Sequence, residues 1–173
     1  MGHRVPPMTT NERDDLLESL ATHRGFLLHT VQGLTDDQAR LRPTVSELTL
    51  GGLVKHVSLT EKGWADFIVD GPASMAMTED SYTEHLDGFV LREDETLAGV
   101  LADYEKIARR TDDLVRTLPD LGASHPLPEA PWFRPGATRS ARRVFVHIVA
   151  ETAQHAGHAD ILREAIDGQK TMG

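Results

Sequence analysis

Four stretches of the chain carry apolar residues at the spacing of an α-helix, and almost nothing carries the alternation of a strand. The first runs from about Thr10 to Gly33, where Leu16, Leu20, His23, Leu27, Val31 and Leu34 fall three or four residues apart. The second spans about Thr49 to Val69, with Leu50, Leu53, Val54, Val57, Trp64, Ala65 and Ile68 apolar; Gly51 and Gly52 either weaken its start or mark a close approach of backbone. The third runs from about Asp94 to Leu118 on Leu97, Val100, Leu101, Tyr104, Ile107, Leu114 and Val115. The fourth runs from about Arg139 to Ile166 and is stopped by Asp167–Gly168. The one short strand candidate is "DGFVLR", Asp87 to Arg92, too brief to build a sheet. The expected fold is all-α, a four-helix bundle in a single domain over residues 9–173, preceded by a disordered extension at 1–8.

The links 70–93 and 119–138 are long beside the ~2–8 residues usual between bundle helices, so crossover connections are expected. The second link carries Pro119, Pro126, Pro128, Pro131 and Pro135 around Trp132 and Phe133. Such a stiff, aromatic-bearing loop often covers a site.

With 173 residues, the chain is long enough for one real core. A net charge of −9, with no basic stripe, argues against nucleic acid or an anionic membrane as partner. No apolar run approaches the ~18 residues of a membrane span, and the N-terminus has no apolar signal region, so a cytoplasmic protein is expected. The absence of cysteine excludes disulfides, a thiolate nucleophile and a Cys-based zinc site. Nine histidines without cysteine direct attention to imidazole and carboxylate ligands.

The fourth helix is where those groups collect. Val144, Ile148, Ala159, Leu162 and Ile166 mark its inward stripe, yet Glu151, His155 and His158 occupy the same stripe. His147, Glu151 and His155 are each four residues apart, and His158 returns to nearly the azimuth of His147. A Glu and a His one turn apart can hold one metal ion together, with a third ligand from another helix and a fourth position left open. The plainer alternative is a Glu151–His155 ion pair or a wet crevice, since an unpaired buried carboxylate costs several kcal/mol. A lone histidine such as His23 reads as structural. For the third ligand the second helix offers Glu61, in the middle of its apolar stripe, and His56, at the flank; spacing alone favours Glu61 as the inward group without deciding between them.

Two stretches taken together, "LTLGGLVKHVSLTEKGW" (Leu48 to Trp64) and "HIVAETAQHAGHADILREAIDG" (His147 to Gly168), resemble the DinB superfamily, most of all its mini-circle-like branch of domains of unknown function. The resemblance extends over about residues 11–168. It implies a DinB-like four-helix bundle of unusual crossover order, often a homodimer, with a divalent metal held by three side chains. The matching positions are His56 in the second helix, then Glu151 and His155 before the "HAG" signature. Many relatives have His where Glu151 stands, but a His-Glu-His set is similar to that of the mycothiol-dependent maleylpyruvate isomerase. His158 stands where many relatives carry Gln. With His147, Glu61 and Trp64 it is expected to orient the ligands or face the substrate.

Relatives of known activity are thiol-dependent transferases or isomerases using mycothiol, bacillithiol or glutathione. The resemblance therefore implies zinc, or else nickel or another divalent cation, a low-molecular-weight thiol as cosubstrate and a small-molecule substrate. With no cysteine in the chain, the thiol has to come from that cosubstrate. The alternatives are a metal-dependent hydrolase, in which the open position activates water, and a non-catalytic metal-binding or stress-related binding protein.

Overall fold

The computed structural model describes residues 11–75 and 88–171. The expected extension at 1–8, the helix start at Thr10 and the first residue of the strand candidate, Asp87, lie outside them. The elements are α1 (Glu12–His29), α2 (Asp36–Arg40), α3 (Leu50–Asp70), a 3-10 turn (Gly71–Met75), α4 (Leu97–Thr117), β1 (Ser124–Pro126), β2 (Thr138–Ser140) and α5 (Ala141–Asp167). The fold is all-α apart from the small antiparallel β1–β2 hairpin. No helix among the described residues is long and apolar enough to cross a membrane.

The helix boundaries follow from local chemistry. Asn11, Thr49, Thr96 and Ser140 each cap a long helix, accepting a hydrogen bond from a backbone N–H in the first turn. Gly168, at φ 80°, stops α5 in the left-handed conformation that glycine tolerates best. The first helix ends at His29, short of the periodicity, because Thr30–Gly33 form turns and Gly33 takes φ 73°. A short helix then follows, α2, whose Thr35–Gln38 capping box the apolar spacing does not reveal.

Two apolar clusters fill the bundle, one towards each end. The first holds Leu27 of α1, Val31 in the turn after it, Leu50 to Val57 of α3, Leu97 and Tyr104 of α4, and Ala159 and Leu162 of α5. The second holds Leu20 of α1, Trp64, Phe67 and Ile68 of α3, Val115 of α4, and Val144, Phe145 and Ile148 of α5. These memberships fix the directions of the helices. α1 and α5 run from the second cluster to the first, while α3 and α4 run the opposite way. The order is thus up-down-down-up, and α4 starts at the end of the bundle opposite to the one where α3 stops.

The link after α4 departs from expectation. It begins and ends at the second cluster, folds into the β1–β2 hairpin and sends Leu121, Leu127 and Phe133 onto that cluster. Its length is taken up by local structure instead of a crossover. The strand candidate is also absent from its expected place: Gly88 and Phe89 form a turn, and no strand follows up to Arg92. Leu91 is buried from this loop, which accounts for its apolar character.

Candidate metal centre

Between the two apolar clusters lies a polar belt. Arg24, Ser58, Glu61, Thr111 and Thr152 are buried there, and the belt opens on one side at His56, Glu151 and His155. Those three side chains converge: one ligand atom from each lies within 4.8 Å of the other two. Glu151 Oε1 is 3.2 Å from His56 Nε2 and 3.2 Å from His155 Nε2. His56 is 7% exposed, whereas the Glu151 side chain keeps 23%. Glu151 and His155 therefore lie at the edge of the α5 stripe; its fully buried positions here are Thr152 and Ala156.

The donor set suits a divalent cation. Two imidazole nitrogens and one carboxylate oxygen are ligands of the kind zinc takes, and ligand bonds of ~2.0–2.2 Å in a tetrahedron put neighbouring donors ~3.3–3.6 Å apart. The two observed 3.2 Å separations are hydrogen-bond distances just short of that range, so a small outward shift would admit a cation. Hydrogen bonds from His155 and His56 hold the Glu151 carboxyl far below the usual carboxylate range, against the opposing effect of burial. The carboxylate is charged at any physiological pH.

Each imidazole has a neighbour that fixes its ring. Phe89 stacks on His56 with centroids 3.8 Å apart. His158 Nδ1 is 3.4 Å from His155 Nδ1, close enough for one ring to donate to the other and leave His155 Nε2 facing Glu151. His147, one turn before Glu151, sits edge-on to Trp64 at 4.9 Å. Burial and the nearby Arg139 hold His147 below the usual imidazole range.

Glu61 is the inward group that the periodicity indicates, but it is sealed at 1% exposure. Its carboxylate receives Arg24 Nη2 at 2.5 Å and Arg24 Nε at 3.1 Å, and Arg24 also reaches Asp112 at 2.8 Å. Tyr104 lies beside this carboxylate, and burial followed by the charge of Glu61 pushes its phenol well above its usual range. Glu61 thus ties α3 to α1 and α4 and is occupied by Arg24. His23 packs near the partly exposed Phe26 on the outer side of α1.

Sequence reasoning missed Phe89, Arg24 and Arg139. Arg24 was legible in one respect: it lies four residues from Leu20 and three from Leu27, on the buried stripe, where His23 was read instead. Phe89 gave no signal of its own. Gly52 did, because a Cβ there would stand 1.9 Å from Phe89 O. A groove of about 690 Å³ lined by Leu28, Val31, Leu97 and Leu101 contains none of the converging groups.

A family model described as mycothiol S-transferase matches residues 15–168 of the chain, which takes in all three converging side chains. No curated protein matches it.

Proposed function

The chain belongs to the mycothiol S-transferase family, and we propose from there that it is a divalent-metal-dependent transferase. It joins the sulfur of a low-molecular-weight thiol, mycothiol first, to an electrophilic small molecule. The observation that carries this reading is the shared oxygen: Glu151 Oε1 faces Nε2 of both His56 and His155 at 3.2 Å. His56, Glu151 and His155 would hold the cation, zinc before nickel. When bound with an open position, such a cation supplies the Lewis acidity that keeps a thiol deprotonated near neutral pH.

The residues around the triad have assignable tasks. Phe89 and His158 keep the two imidazoles turned towards Glu151. Glu151 stays anionic and lowers the net charge of the loaded centre. In the transfer, the thiol releases its proton to solvent, its sulfur attacks the electrophilic carbon, and a C–S bond forms. The bond from that carbon to its leaving group breaks, and the leaving group departs with the electron pair. The chain offers no cysteine to compete for the electrophile.

The test is metal content after purification without a histidine tag, followed by calorimetric titration of metal-loaded and metal-free protein with mycothiol, bacillithiol and glutathione. Mycothiol should bind the loaded form more tightly. His155→Ala should abolish both metal retention and that difference, while His23→Ala should leave both in place. If no thiol distinguishes the two forms, the transferase reading falls and a hydrolase or a non-catalytic metal-binding protein takes its place.

A further inference from the structure

Two arginines are buried in this bundle, and both are fully engaged. Arg24 is held by Glu61 and Asp112. Arg163 is held by Asp167 and by the carbonyls of Thr30 and Gln32. Arg139 is different. It is half-buried, its Nη1 is shielded from solvent, and that nitrogen has no hydrogen-bond acceptor. Among the described residues no carboxylate pairs with it, although the chain has 27 acidic residues to 18 basic ones.

Its surroundings explain how it is held. The guanidinium carbon lies 4.5 Å from the centroid of the Trp64 ring and 5.4 Å from that of Phe133. Contacts of this kind engage the faces of a guanidinium. The in-plane N–H groups, which recognise oxyanions in pairs, are left for another partner. Arg143 is close enough to repel the same guanidinium, and burial and Arg143 together lower the pKa of Arg139. Two cations thus lie near each other, one with an unmet donor, and no carboxylate among the described residues pairs with Arg139.

The position of this site ties it to the triad. Arg139 covers Trp64, Trp64 meets the edge of His147, and His147 stands one turn, ~6 Å of helix rise, before Glu151. We propose that Arg139, backed by Arg143, docks the acceptor substrate, so the molecule that receives the thiol is a small organic acid bound through its carboxylate. This rests on the transferase reading above. It adds the substrate class: a carboxylate standing several bonds from an electrophilic carbon, with an apolar body lying beside Arg139 against Phe133.

Phenylacetate and its neutral amide, phenylacetamide, are matched probes. Each is titrated into the full chain, zinc-loaded and EDTA-treated, and followed by Trp64 fluorescence in a Trp132→Phe background. Phenylacetate should bind roughly 10-fold more tightly than the amide in both forms, as expected for a charge-assisted pair. Arg139→Gln should erase the preference and Arg139→Lys should restore part of it. Arg143→Gln, at an exposed position, should weaken the preference without affecting the fold. The preference should also shrink as salt rises from 0.05 to 0.5 M, on the order expected from screening. Equal binding of the two probes, a preference that survives Arg139→Gln, or one seen only with zinc present would overturn the assignment. Mycothiol titrated into the same samples reports on the transferase reading separately, so either can fail alone.

Discussion

The ring of Phe89 lies flat on the ring of His56, with centroids 3.8 Å apart and planes 17° from parallel. A glycine makes this contact available. Gly52 sits one turn before His56 on α3, and a Cβ at that position would meet Phe89 O at 1.9 Å and Phe89 C at 2.6 Å. Only a bare Cα lets the loop press onto the helix here. Gly52→Ala should therefore push the loop away, unstack His56 and weaken metal binding by ~10–100-fold, the range found for groups that orient ligands. Competition against a chromophoric chelator measures the change; unaltered affinity would mean that the stacking has no part in holding the ring.

His158→Ala addresses the other imidazole. With the Nδ1–Nδ1 contact gone, His155 loses the neighbour that turns Nε2 towards Glu151. Metal affinity should drop by at least ~10-fold with helix content and melting temperature nearly unchanged. A loss of stability with no change in affinity would make His158 a packing residue.

The Arg24–Glu61 pair should behave as a buried ion pair. Glu61→Ala leaves a guanidinium that is 6% exposed with Asp112 as its remaining carboxylate partner and should cost up to ~3–5 kcal/mol. Exchanging both partners for apolar residues, Arg24→Met with Glu61→Leu, should recover most of that loss. Urea denaturation of the two variants gives the comparison. Equal destabilisation in both would show that the pair contributes more than mutual neutralisation.

His147 sets a pH dependence of stability. Burial, together with Arg139 and Arg143, lowers its pKa in the folded state. The folded chain then binds fewer protons at this site than the unfolded chain, where imidazole titrates near ~6.5. Stability should be highest above that value and decline as pH falls from ~6.5 towards the lower folded value. His147→Phe should flatten that part of the profile. Thermal melts between pH 5 and 8 read it directly, on the order of the imidazole range.

The periodicity of the sequence carried the four long helices, because each buries a continuous apolar stripe. It did not carry their directions, which depend on the end of the bundle each stripe joins. It found Glu151, His155 and His158 as intruders on a stripe, and Glu61 as an inward charge. His56 stood out only through resemblance, since a flanking histidine and an exposed one have the same spacing. Arg24 escaped notice because its long side chain reaches inward from a position that reads as polar. Phe89 and Arg139 escaped because their roles arise from chain segments meeting in space, which no local spacing records.

The polar belt lies midway between the two apolar clusters, so the converging groups are anchored on the middles of α3 and α5 and not on the loops that close the bundle. A change of length in the β1–β2 connection at one pole can consequently be absorbed without moving the stretches of α3 and α5 that carry the three converging side chains.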